Sequence, residues 1–191
     1  MAIVQSLMLG LSLASAAGLR AFLPLLALAL AAKFNIVPVG GQFAWLHSWT
    51  AITVLGVATV AELLADKVPV IDHLLDTVQT VVRPAAGALA VAGTQSHVDP
   101  ITAGVLGLIL GAPLAGGIHV AKTGARVAST GLTAGLANPF LSLGEDGASL
   151  ILSVLAIWVP LLAFALSLLL VLAVWRLWRR LRPRRKAAGL E

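Results

Sequence analysis

The sequence has no cysteine, and charged residues fill only 11% of its 191 positions. The missing thiols exclude disulfides and thiolate metal sites. So little charge beside 59% hydrophobic residues, with a mean hydropathy of +0.99, excludes an ordinary soluble domain. No positive charge precedes Arg20. The opening MAIVQSLMLGLSLASAAG therefore lacks the basic start of a signal peptide, although small residues at Ser15, Ala16 and Ala17 resemble a cleavage site. The apolar run continues through Ala32, and a retained helix is expected. Catalytic signatures are also missing. There is no His-Glu-x-x-His, no phosphate-binding glycine loop with lysine, and no Gly-x-Ser-x-Gly. His47, His73, His97 and His119 are scattered, which argues against a histidine metal cluster.

What is present is apolar helix. The expected fold is an all-α, polytopic transmembrane helix bundle of about five or six membrane segments, at least one of them broken or re-entrant. It forms a single transmembrane domain over residues 1–178, followed by a basic tail over 179–191. The net charge of +5 comes from that end of the chain: Arg176, Arg179, Arg180, Arg182, Arg184, Arg185 and Lys186 are seven of the thirteen basic residues. Six basic and seven acidic residues precede them, a balance of −1. The basic run follows a long apolar helix marked by Trp175 and Trp178, so a cytoplasmic C-terminus and a multi-pass inner-membrane protein are expected. The expected partners are the bilayer and, at the tail, anionic lipid. No nucleic-acid partner is expected, and a homo-oligomer is open.

Ile3 to Ala32 spans thirty residues, roughly 45 Å of helix against a ~30 Å hydrocarbon core. The segment must tilt, protrude or break, and Gly18, Arg20 and Pro24 lie where a break is expected. Arg20 then needs a partner, from the acidic stretch or from Glu145 and Asp146, unless it snorkels to an interface. Lys33 to Thr50 reads as a loop and Ala51 to Ala65 as a second span. Val70 to Val91 reads either as one kinked span or as a helix followed by a re-entrant piece. Ile101 to Ala121 is a further span, with Gly107, Gly111 and Ala115 spaced for close helix packing. His119, Lys122 and Arg126 share a face beyond it. Gly131 to Ser142 reads as a loop. Glu145 and Asp146 then open a last helix, Gly147 to Trp178, with Pro160 inside it. As an opening pair they would suit the positive end of that helix.

Charge is concentrated in one stretch, ELLADKVPVIDHLLDTVQTVVRP, residues 62–84. It carries four of the eight acidic residues: Glu62, Asp66, Asp72 and Asp76. Glu62 and Asp66 are four apart and share the end of one apolar helix. Pro69 restarts the chain, and Asp72, Asp76, Gln79 or Thr80, and Arg83 then fall on one stripe. Pro84 ends or kinks that helix. Asp72 and Asp76 are expected to act as a pair. Ionisable residues in membrane segments mark functional sites by default. The candidate ion- or substrate-binding residues are Glu62, Asp66, Asp72, Asp76, Glu145 and Asp146. Their candidate charge partners are Arg20, Lys67, Arg83, Lys122 and Arg126.

Three pieces, GLRAFLPLLALALAAKF, AELLADKVPVIDHLLDTVQTVVRPAAGAL and NPFLSLGEDGAS, resemble the bacterial membrane-protein family catalogued as domain of unknown function 4126. The resemblance runs from about Gly10 to about Pro160. Its specific part is D-K-x-P-x-x-D-x-x-x-D followed by R-P. It implies a small polytopic membrane protein and assigns no activity or residue roles. Glu62-Leu-Leu-Ala-Asp66-Lys67 is also similar to the acidic helix motif of a cation/proton exchanger family, with the spacing changed by one residue and the glycine absent.

Three functions stay open on the residues. The first is a small ion- or proton-coupled transporter or channel. Carboxylates in a low-dielectric site exchange protons near neutral pH unless paired, and hard cations prefer their oxygens. The second is a structural or lipid-interacting protein whose aspartates only neutralise its cations. The third is a metal-dependent enzyme acting on lipid headgroups through Asp66, Asp72 and Asp76. No cofactor is expected, and a divalent cation or a proton would enter as substrate.

Overall fold

The computed structural model describes residues 3–66 and 69–181, with side chains at 69–74, 76, 177, 178, 180 and 181 outside the description. All the regular elements among these residues are helical. Helices α1 (Ile3–Leu19) and α2 (Phe22–Lys33) come from the first apolar run. A 3-10 helix (Gly41–His47) leads into α3 (Trp49–Ala65), and the pair is bent by 69°. There follow α4 (Pro69–Thr94), α5 (Pro100–Leu106), a π-turn (Gly107–Gly111) and α6 (Ala112–Thr133). Helices α7 (Asn138–Trp158) and α8 (Pro160–Leu181) complete the bundle. Pro100–Thr133 and Asn138–Trp158 are long and apolar enough to cross a membrane, and the bent pair is a third such unit. Ile3–Leu19, Phe22–Lys33 and Pro160–Arg176 are shorter apolar helices. Counting the α1–α2 unit, α4 and α8 with those three gives six membrane-embedded units.

The thirty-residue run breaks, and it folds back on itself. Its two arms meet the same end of α4. A Cβ added at Gly10 in α1 would lie 2.5 Å from Thr94 Oγ1, while one added at Gly93 would lie 3.5 Å from Leu28 in α2. The Gly40 N–H beyond α2 also donates to Gly93 O at 3.1 Å. The arms therefore run in opposite senses, with Arg20 at the tip. Seventeen and twelve residues give arms of roughly 26 and 18 Å. Neither arm alone is as long as a ~30 Å hydrocarbon core. The run is a helical hairpin, and a membrane protein tolerates such a non-helical tip only where protein surrounds it. Helix α1 is buried along most of its length, among α4, α6, α7 and α8.

Local chemistry explains the other boundaries. Ser48 Oγ accepts from Ala51 N at 3.0 Å and starts α3. Asp99 accepts from Ile101 N and Thr102 N at 3.1 and 3.0 Å and starts α5, with Pro100 in the first turn. Hydrogen bonds from Thr102 hold the Asp99 carboxyl below its ordinary value. Ala134 and Gly135, both at positive φ, end α6. Val159, held out of helical conformation before Pro160, separates α7 from α8.

Several expectations are corrected here. Pro84 does not end α4, and the helix runs on to Thr94 as one element, which leaves the kink of the two expected outcomes. The expected loop over 131–142 shrinks to four residues, because α7 already begins at Asn138. Glu145 and Asp146 therefore lie in the second and third turns of α7 and cannot cap it. The last helix breaks at Val159 and does not continue through Pro160.

Helix α6 packs on α4 through glycines. A Cβ at Gly87 would come within 2.5 Å of Gly111 O, and one at Gly111 would strike Gly87 O. The π-turn sits at this contact, where glycine lets two backbones approach. Gly111→Ala is expected to destabilise the fold by about 1–3 kcal/mol, the usual cost of overpacking. Gly124→Ala, in the same helix with nothing within 4 Å of the new Cβ, is expected to be neutral or stabilising. Thermal midpoints in detergent would separate the two, and equal shifts would contradict the seam.

Candidate functional site

The hairpin tip leaves two kinds of unsatisfied backbone. The end of α1 offers carbonyls, and the start of α2 offers N–H groups. Each set is met by charge of the sign that the helix dipole favours. Arg83 from α4 donates to Gly18 O at 2.9 Å, and Lys122 from α6 donates to Leu19 O at 3.3 Å. Glu62, near the end of α3, accepts from Ala21 N and Phe22 N at 3.0 and 3.3 Å. It caps α2 from another helix, where Ala21 has no capping side chain of its own. Pro24 fits this first turn because its missing N–H is not needed there.

Arg20 occupies the tip itself and is fully buried. Its guanidinium pairs with Asp66 and Asp146, donates to Ser142 Oγ at 2.9 Å, and lies 3.9 Å from Glu145. Asp66 also takes Arg126 at 3.0 Å and Lys122 at 3.9 Å. Glu145 takes Lys122 at 2.9 Å and Arg126 at 3.0 Å. Glu62 faces Arg83 at 3.5 Å and accepts from Gln79 at 2.9 Å, while Gln79 in turn accepts from Arg83. The described ion pairs form two groups on either side of the tip: Arg20, Lys122 and Arg126 with Asp66, Glu145 and Asp146, and Arg83 with Glu62. Their exposure is uneven. The side chains of Glu62 and Asp66 are each 1% exposed, whereas those of Glu145 and Asp146 are 13% and 21% exposed. The cluster is most exposed along α7.

The sequence-based candidates fall into two groups. Glu62, Asp66, Glu145 and Asp146 converge, as do Arg20, Arg83, Lys122 and Arg126, and Arg20 is paired with both of the acidic groups expected of it. Asp72, Asp76 and Lys67 do not enter this account, since their side chains lie outside the described residues. The basic tail beyond 181 lies outside them too. Ser142 and the Gly18 and Leu19 carbonyls were not anticipated. The carbonyls were legible in principle, since a break at Gly18 and Arg20 frees the last carbonyls of the first helix. His119, on the Lys122 face of α6, lies with Nε2 3.4 Å from Thr80 Oγ1. Among the described residues, no three acidic or histidine side chains converge as a metal-ligating group.

A family model described as Domain of unknown function (DUF4126) matches residues 7–180, so the chain belongs to that family. No curated protein and no solved structure matches.

Asp66 is the shared counter-charge of three cations. Asp66→Asn is expected to cost roughly 3–5 kcal/mol by leaving buried positive charge uncompensated. Adding Arg126→Leu should recover part of that loss. Unfolding of the single and double variants in detergent measures both, and additive losses would contradict the coupling.

Proposed function

Starting from that membership, we propose that the protein is a small ion- or proton-coupled transporter or channel of the bacterial inner membrane, with the hairpin tip as its coupling site. One observation carries the reading. The Lys122 ammonium is seated among oxygens as a small cation would be, with Glu145 at 2.9 Å, Leu19 O at 3.3 Å and Asp66 at 3.9 Å. Carbonyls at the end of a broken helix, together with carboxylates, form the usual surroundings of a coupling ion in transport proteins. A tethered ammonium can yield that place to a free cation, or a proton can neutralise Glu145 and release it. Exchange would begin at Glu145 and Asp146, the exposed edge of the network. Positions 72 and 76 of α4 share the helical register of Gln79 and Arg83, which keeps Asp72 and Asp76 as candidates for the path to the tip.

The expected orientation follows from the basic residues. Seven of the thirteen lie from Arg176 onward, beyond the apolar part of α8. A cytoplasm-dependent reporter fused after Glu191 should be active, and activity of a periplasm-dependent reporter there would reverse the topology.

The alternative, a purely structural polar core, is favoured by the pairing of each of the four described cations with a carboxylate. Proteoliposomes carrying an internal pH-sensitive dye separate the two readings. The unchanged protein should pass protons or alkali cations down an imposed gradient. Glu145→Gln should reduce that flux at least tenfold while shifting the thermal midpoint only modestly, because this carboxylate is partly exposed. No flux from the unchanged protein, with a large midpoint loss in Glu145→Gln, would favour the structural core.

A further inference from the structure

A second feature lies on the outer face of the bundle, where α6 and α8 diverge and leave an open groove of about 400 Å³. That volume falls within the range of small-ligand sites. Its walls are Pro113, Leu114, Ile118, Val171 and Val174. Gly117 lies open between them, with nothing within 4 Å of a Cβ added there. Trp175 and Arg179 also line it, and the guanidinium stacks 4.5 Å from the centre of the indole ring. Among the described residues lining the groove, Arg179 is the charged one, and it lies on the last turn of α8.

An occupant must therefore be apolar along most of its length and anionic at one end. We propose that the groove is a binding site for one anionic phospholipid, with an acyl chain against the α6–α8 walls and its phosphate at Arg179. Charge complementarity selects this occupant. Cation–π stacking on Trp175 fixes the guanidinium while leaving its donors free for phosphate oxygens. The sequence beyond α8 stays basic, so the groove ends on the side of the chain that attracts anionic headgroups. A second copy of the chain is a poorer match, because four of its eight acidic residues are spent inside the ion network.

Brominated lipids quench tryptophan at contact, which makes Trp175 the probe. The protein is reconstituted in phosphatidylcholine vesicles containing brominated phosphatidylglycerol or brominated phosphatidylcholine. The Trp175 signal is the difference from Trp175→Phe. Quenching should favour phosphatidylglycerol severalfold. Arg179→Gln should lower that preference by about fivefold, which corresponds to about 1 kcal/mol for one basic residue at an anionic surface. Gly117→Leu, whose Cβ has nothing within 4 Å and whose side chain would occupy the groove, should reduce quenching by both lipids. Equal quenching by both lipids in the unchanged protein would overturn the site, as would indifference to both variants. Absence of quenching by either lipid would also overturn it and assign the groove to a second copy. If Gly117→Leu does not purify, native mass spectrometry of the unchanged protein decides. One retained phosphatidylglycerol per chain supports the site, and retention of none, or of lipids in their bilayer ratio, refutes it.

Discussion

The arrangement depends on a single arginine at the tip of a hairpin. Arg20 cannot remain ionised among apolar helices without counter-charges, and an unpaired charge at that depth is strongly unfavourable. Satisfying it draws Asp66 from the end of α3 and Asp146 from α7 to one point. Asp66 and the adjacent Glu145 then draw Lys122 and Arg126 from α6. On the other side of the tip, Glu62 caps α2 and holds Arg83 of α4. Five elements are thereby tied to the tip at one level. Lipid is as apolar as leucine, so burial of apolar surface alone gives membrane helices little reason to choose one neighbour over another. Here, charge makes that choice.

Away from the tip the bundle is held in a different way. Helix α1 is rich in serine, alanine and glycine, and its hydroxyls are bonded to backbone carbonyls or to Gln95. Its glycines let neighbours come close, Gly10 against Val91 and Thr94 of α4 and Gly18 against Ala115 and Ile118 of α6. Ser149 of α7 reaches Ala16 O at 3.1 Å across this seam. The glycine contact between α4 and the π-turn continues the same principle. Small residues set how closely the helices approach, and the ion network sets which helices meet.

The sequence made the membrane class, the break near Arg20 and the need of Arg20 for a carboxylate legible, because each rests on a local rule about charge or chain geometry in an apolar run. The face shared by Lys122 and Arg126 was also visible from spacing alone. The fold-back of the first run was not visible, because tilting and breaking satisfy the same length mismatch, and only the packing of α2 against α3 and α7 selects between them. Pro84 does not stop its helix, one of the two outcomes expected of it, whereas Pro160, expected inside a continuous helix, begins a new one. Glu145 and Asp146 resembled a helix-opening pair because Asn138-Pro139 looked like a turn. It is the first turn of α7, so the two carboxylates land on its flank, facing the tip.

Among the described residues every member of the cluster has an opposite charge beside it, and several atoms, Asp66 Oδ2 and Glu145 Oε2 among them, serve more than one partner. Moving or neutralising one of the fully buried carboxylates, Asp66 or Glu62, leaves a buried cation uncompensated, at a cost comparable to a large part of a domain's stability. Any such event must therefore be matched by a proton, an arriving ion or a repacked helix. The hairpin tip is the natural place for that response, because its backbone ends are held by side chains from α3, α4 and α6 and not by a continuous helix. A rearrangement of Lys122 or Glu62 would change the conformational preference of α1 relative to α2 directly. On the proposed reading, charge pairing and a broken helix at the same point would couple the ionisation of the cluster to the shape of the bundle.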